Sequence, residues 1–222
     1  MRYAIYFTPG PAHPLTRAAG LWLGRDAFGG QVNPAPEDGL LADEEHRQLT
    51  ASPRRYGFHA TMVAPFRLAA GASEQALIQT LASFSAERSS FEMPPLEIAR
   101  IGAFYALVPQ RKSEPLEQLA GDAVRAFAPL RAPLNAAEIE RRRPDTLTPN
   151  QRAYLQEWGY PYVFEEFRFH MSLTGPTLAQ DHGRIEQALH QWFDPVLDGK
   201  LAVEALALFT EPAAGAAFDI YT

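Results

Sequence analysis

Apolar residues in this chain fall into short runs punctuated by Gly, Pro and Asn, and the runs carry two different periods. Arg2 to Thr8 is nearly all apolar or aromatic and predicts a buried strand. Leu15 to Leu23 has the spacing of a short amphipathic helix that stops at Gly24. The stretch from Gly29 to Gly39 is rich in turn formers and predicts a loop, and the acidic stretch from Leu40 to Leu49 is compatible with a helix. After this, one order of elements is expected twice. The first run has a strand around Phe58 to Phe66, a helix from about Ser73, as its N-cap, to Glu87, and strands near Leu96 to Phe104 and Tyr105 to Val108. The second has a strand around Val163 to Thr174, a helix over about Ala179 to Phe193, and strands near Leu201 to Phe209 and Ala217 to Tyr221. The repeated order predicts an internal duplication, with units at about 56–109 and 163–222. Between them lie a crossover helix, Glu114 to Phe127, and an insert at about 136–162 with no counterpart in the first half. Helix-like pieces at Ala136 to Arg143 and Pro149 to Trp158 make up the insert, which closes in the turn signal Gly159-Tyr160-Pro161-Tyr162.

Each run opens on the same short motif. Phe58-His59-Ala60-Thr61-Met62 is matched by Phe169-His170-Met171-Ser172-Leu173: aromatic, His, any residue, hydroxyl, large aliphatic. Side chains two apart on a strand share a face, so His59 goes with Thr61 and His170 with Ser172. Histidine exchanges a proton near neutral pH, its unperturbed pKa being about 6.5. One imidazole can serve as base on an attacking oxygen and the other as acid on a leaving oxygen. Thr61 and Ser172 can donate to non-bridging phosphate oxygens as charge builds there. Arg168, two before His170, shares its face and offers a planar fork of donors for a phosphate, unless it pairs with Glu165 or Glu166. The matching position before His59 is Gly57, which leaves room for a substrate. Tyr56 and Tyr162 are candidates for stacking on a base or sugar. Arg143 is a further candidate for the substrate, against the plainer reading of Arg141 to Arg143 as a solvated basic helix end before Pro144. The remaining four of six histidines have no partner motif. His182 and Glu186 are spaced for one helix face but lack a third ligand, so neither a metal site nor a cofactor is expected.

Composition narrows the class. With 222 residues, 46% hydrophobic and 21% charged, the chain is an ordinary globular one. It has no apolar stretch of membrane-spanning length, so no membrane association is expected, and its short apolar start reads as a strand and not a signal peptide. The absence of cysteine excludes disulfides and thiolate metal sites and is compatible with a reducing cytoplasm, the expected location. A formal net charge of −6 disfavours a long nucleic acid as partner and leaves at most a short RNA end. A small phosphorylated substrate needs only a local basic patch. The oligomeric state is left open.

The paired motifs resemble those of the 2H phosphoesterase superfamily, named for its two His-x-Thr/Ser motifs. The wider segments Pro53-Arg54-Arg55-Tyr56-Gly57-Phe58-His59-Ala60-Thr61 and Trp158-Gly159-Tyr160-Pro161-Tyr162-Val163, the latter leading to Phe167-Arg168-Phe169-His170, together with Arg141 to Pro144, resemble its bacterial branch found with phosphonate-utilisation genes. The resemblance implies an α+β fold of two pseudo-twofold-related lobes, each with an antiparallel sheet and packed helices, around a central cleft. It implies metal-free hydrolysis of a small, often cyclic, phosphodiester, with His59 and His170 as the acid–base pair and Thr61 and Ser172 on the phosphate. The branch often carries Lys where Val63 stands and Arg where Pro176 stands. Those departures keep open a phosphate- or phosphonate-binding protein without turnover; a third expectation, an enzyme acting on 2′–5′ linkages or cyclic phosphates at RNA ends, is disfavoured by the net charge of −6.

Overall fold

The computed structural model describes residues 1–32 and 40–222. Most of the loop expected from Gly29 to Gly39 lies outside the described residues. Its beginning belongs to a short hairpin, β2 (Arg25–Asp26) with β3 (Gly30–Gln31).

The fold is α+β, with seven α-helices among the described residues and a seven-stranded sheet at its centre. Two of its strands are early in the chain, β1 (Arg2–Phe7) and β4 (Ala60–Phe66). Two form a hairpin, β6 (Leu96–Ile101) with β7 (Phe104–Pro109). The others are β8 (Met171–Ser172), β10 (Ala207–Glu211) and β11 (Asp219–Ile220), and the order is β11-β10-β1-β4-β8-β7-β6, antiparallel throughout. The two sheets expected in separate lobes are therefore one sheet. The reason is that β4 and β8, the strands bearing the two motifs, pair directly, with Ala60 opposite Met171.

The alternation along these strands divides the molecule. Ile5, Phe7, Ala60, Met62, Met171, Leu173, Tyr105 and Leu107 are all buried in the main core. Four helices fill that core from the other side: α1 (Pro14–Leu23), α3 (Glu74–Ala86), α4 (Glu114–Phe127) and α7 (His182–Leu197), through residues such as Trp22, Leu77, Phe127 and Phe193. Full burial of one such side chain is worth about 1.5–3 kcal/mol, so this layer supplies most of the driving force. Trp22 also donates its indole N–H to the Leu173 carbonyl at 2.9 Å, tying α1 to the end of β8. The opposite strand face keeps only a small aromatic cluster, Ala4, Tyr6, Phe209 and Phe218, and is left for the site.

Local signals set most helix limits. His13 caps α1 by accepting from the Leu15 N–H, and Gly24 ends it in the left-handed region. Ser73 caps α3 as expected, accepting from the Ala76 N–H at 3.1 Å. The helix expected over residues 40–49 is α2 (Asp43–Tyr56) and runs well past Leu49. The insert contains α5 (Ala136–Arg141) and α6 (Pro149–Trp158), each opened by a capping box, Asn135 with Glu138 and Thr148 with Gln151.

The second run departs most from expectation. In place of a strand from Val163 to Thr174 there is a 3-10 turn, Phe164–Glu166, and only Met171–Ser172 joins the sheet. Phe164 is drawn into an aromatic cluster with Tyr154 and Trp158, while Glu165 and Glu166 bond Asn150, Tyr154 and Gln151 of α6. The strand expected from Leu201 to Phe209 is also divided. Its first part, β9 (Ala202–Val203), pairs with β5 (Phe91–Glu92) outside the main sheet, and the rest enters β10. No helix among the described residues is long and apolar enough to cross a membrane.

Candidate active site

Pairing of β4 with β8 decides the geometry of the two motifs. Continuing the Ala60–Met171 register by one residue each way sets Thr61 opposite His170 and His59 opposite Ser172. Each imidazole thus neighbours the hydroxyl of the other motif. All four side chains line one cleft of about 430 Å³, while Ala60 and Met171 between them point into the core.

The two histidines are held alike. His59 Nδ1 lies 2.9 Å from the Gly57 carbonyl, and His170 Nδ1 lies 2.8 Å from the Arg168 carbonyl. A carbonyl only accepts, so this assigns the hydrogen to Nδ1 in both rings and leaves Nε2 as the free acceptor. His59 also stacks on Tyr6, with ring centroids 3.9 Å apart and planes at 25°. Burial lowers its pKa to about 4 against the lift from the Gly57 carbonyl, and the nearby His170 depresses it further. Burial lowers His170 as well, again opposed by its carbonyl partner. Both rings are therefore neutral at pH 7. Burial pushes the Tyr6 hydroxyl well up, so it stays a neutral phenol. Neither the Thr61 nor the Ser172 hydroxyl bonds another described residue.

The structure brings together most, but not all, of the residues expected from the sequence. Tyr56 lines the cleft and stacks on Phe218 at 5.1 Å. Arg168 and Tyr162 line an adjoining chamber of about 410 Å³, which shares Thr61, Phe104, Tyr160 and His170 with the first. Arg168 pairs with neither Glu165 nor Glu166, whose carboxylates are engaged with α6. Arg143 lies outside both chambers: its backbone takes the left-handed conformation, φ 48°, and turns the exposed residue away. Arg141 and Arg142 of the same basic run line the cleft instead. Gly57 leaves no room toward the substrate. It is fixed by φ 75° and ψ 174°, a region reserved for glycine, and by Ala27, whose Cβ would be 2.8 Å from an added Cβ.

Several lining residues had no readable signal. Tyr6 and Arg2 come from β1, which reads in sequence as plain buried strand. Arg2 is held by Glu211, a carboxylate that also binds Arg55 and accepts from the Gly215 N–H at 3.0 Å. Burial pushes the Glu211 carboxyl up, but these three donors outweigh it and hold it at about 2. Tyr160 divides the two chambers, and the Arg142 guanidinium lies 4.8 Å over its ring. Among the described residues no three His, Cys, Asp or Glu side chains are grouped to hold a metal ion.

Two curated relatives match nearly the whole chain. A ribose 1,5-bisphosphate phosphokinase PhnN from Janthinobacterium sp. (strain Marseille) is 38% identical over 228 residues, covering 98% of this chain and 49% of its own length. One of the same name from Laribacter hongkongensis (strain HLHK9) is 38% identical over 234 residues, covering 99% of this chain and 50% of its own. The chain spans about half the length of these relatives. Their names are those of a kinase, and this overturns the hydrolytic phosphodiesterase expected from the sequence, along with its alternatives of a binding protein without turnover and an RNA-end enzyme. The model of a family described as "Protein of unknown function (DUF1045)" matches residues 61–219, which include Thr61, the whole second motif and the insert. The chain belongs to the DUF1045 family.

Proposed function

We propose that the cleft is the sugar-phosphate site of a phosphoryl-transfer enzyme, with His59 and His170 as its proton-transferring pair and a phosphorylated pentose as its substrate. One observation carries the proposal: His59, Ser172, Thr61 and His170 form a square on one sheet face, with both imidazoles oriented through Nδ1 and free at Nε2. The substrate class follows the names of the two relatives.

The resting site holds two neutral imidazoles. A bound phosphate brings negative charge against them and favours protonation of one. In a transfer from a nucleoside triphosphate held outside this chain, the sugar hydroxyl forms the new O–P bond and gives its proton to the neutral ring, while the O–P bond to the nucleoside diphosphate breaks and the imidazolium protonates that departing oxygen. Thr61 and Ser172 donate to the non-bridging oxygens from opposite corners, where their hydrogen bonds strengthen as charge develops. The Gly-x4-Gly-Lys-Ser/Thr loop that cradles nucleotide phosphates in many kinases is absent from the sequence. The proposal therefore assigns to this chain the recognition of the sugar phosphate and the proton transfers, and no nucleotide site. The repeated motifs also support reading the site as one of the two-histidine superfamily, built by duplication of units 56–109 and 163–222, in a protein of phosphonate metabolism.

Calorimetric titration with ribose 5-phosphate at pH 7, in two buffers of different ionisation enthalpy, tests this directly. The wild type should bind with more proton uptake than a His59→Asn/His170→Asn variant. Phosphoryl transfer should fall by roughly a hundredfold or more on replacing either histidine. Absence of binding, or full transfer activity in the double variant, would refute the proposal.

A further inference from the structure

The wall of the cleft facing the sheet holds positive charge that no carboxylate among the described residues offsets. Arg141 ends α5, Arg142 is its C-cap, and both line the cleft with the two motifs. Basic residues suit a helix C-terminus for structural reasons alone. The surroundings of Arg142 go beyond that. Its guanidinium is turned over the ring of Tyr160, which faces both chambers, and it has no ion-pair partner among the described residues. The one carboxylate of the same wall among the described residues, Glu138, is held by two nitrogens of Arg67 at 3.1 and 2.9 Å and accepts from the Asn135 N–H. The other cation in the cleft, Arg2, is already paired with Glu211. Arg131 is near enough to feel the charge of Arg142, and its buried Nε has no hydrogen-bond partner among the described residues. Burial, and then the charge of Arg142, lower Arg131 to about 10. Two neighbouring guanidiniums without a counter-charge among the described residues, in a chain of net charge −6, are unfavourable until an anion arrives.

We infer that Arg141 and Arg142 form a second anion subsite, so that the cleft takes a substrate with two phosphate groups, one at the histidine–hydroxyl square and one at the end of α5. This rests on the sugar-phosphate reading of the cleft and specifies which member of that class it selects. The planar fork of arginine matches a phosphate better than any other side chain, and a guanidinium seated on an aromatic ring is held in place for it. A bisphosphate then bridges the sheet and the insert, and a monophosphate fills only one end.

The ratio of affinities for ribose 1,5-bisphosphate and ribose 5-phosphate, measured by calorimetry at fixed ionic strength, reads this subsite. In the wild type the bisphosphate should bind roughly tenfold or more tighter, the size of one added charge-assisted contact. In an Arg141→Gln/Arg142→Gln variant the ratio should fall toward one, and in Arg142→Lys it should lie between. The single Lys variant keeps the charge, so it serves if the double variant unfolds. A wild-type ratio near one, or an unchanged ratio in the variants, would overturn the subsite while leaving the sugar-phosphate reading intact. Failure of the wild type to bind either compound would overturn both.

Discussion

Acid titration of His59 offers a sharp check on the geometry of the site. The imidazole is stacked on Tyr6 and its Nδ1–H is committed to the Gly57 carbonyl, so protonation would charge Nε2 in a desolvated corner next to His170. Its pKa is about 4 in the folded protein, against an ordinary 6.5. As pH falls, the unfolded chain takes up this proton first. The stability contributed by keeping His59 neutral is therefore complete above about pH 6.5, declines through the window down to about 4, and is lost below it. At about 1.4 kcal/mol per pH unit, the loss amounts to roughly 3 kcal/mol. His59→Asn removes the titration but preserves a donor to Gly57, since the amide nitrogen of Asn stands near the place of Nδ1. Urea unfolding of both proteins at several pH values between 7 and 4 gives the test. The wild type should lose about 3 kcal/mol relative to the variant across that window, and the side-chain nitrogen shifts of His59 should titrate near pH 4. Parallel stability curves, or a midpoint at the ordinary value, would refute the argument that this ring is desolvated and held in one tautomer.

Two further predictions concern the groups that support the cleft. Glu211→Gln should cost about 3 kcal/mol at pH 7, because it leaves Arg2 and Arg55 without their buried counter-charge. The wild-type advantage should be full above about pH 4.5 and vanish as pH falls toward 2, the folded-state value, so an advantage independent of pH would sink the assignment. Gly57→Ala should destabilise by about 1–3 kcal/mol through backbone strain and the collision with Ala27, and it should displace the carbonyl that orients His59. An unchanged denaturation midpoint would show that the loop before β4 adapts freely.

The legible parts of the fold were those governed by neighbouring residues. Ser73 opens a helix because its hydroxyl meets the Ala76 N–H, and α4 occupies the span read from its apolar period. The β6–β7 hairpin followed in the same way. The segment from Val163 to Thr174 misled because its apolar run serves two masters. Phe164 packs against α6, and only Met171 and Ser172 find strand partners. The division of Leu201 to Phe209 between two sheets has the same origin, since pairing with Phe91 and with β1 is set by partners far along the chain.

The four residues of the square could be named from the sequence because a motif repeated in one local frame needs no knowledge of distance. Period two along a strand puts each histidine on the face of its own hydroxyl. That each histidine stands opposite the other motif's hydroxyl is a property of the Ala60–Met171 register, which only the folded sheet fixes. The same holds for the ring beneath His59, the carboxylate that pairs with Arg2, and the choice of Arg141 and Arg142 over Arg143. Each depends on which surfaces meet when strands and helices remote in sequence pack together. Local propensity and alternation carry the first kind of information, and long-range pairing carries the second.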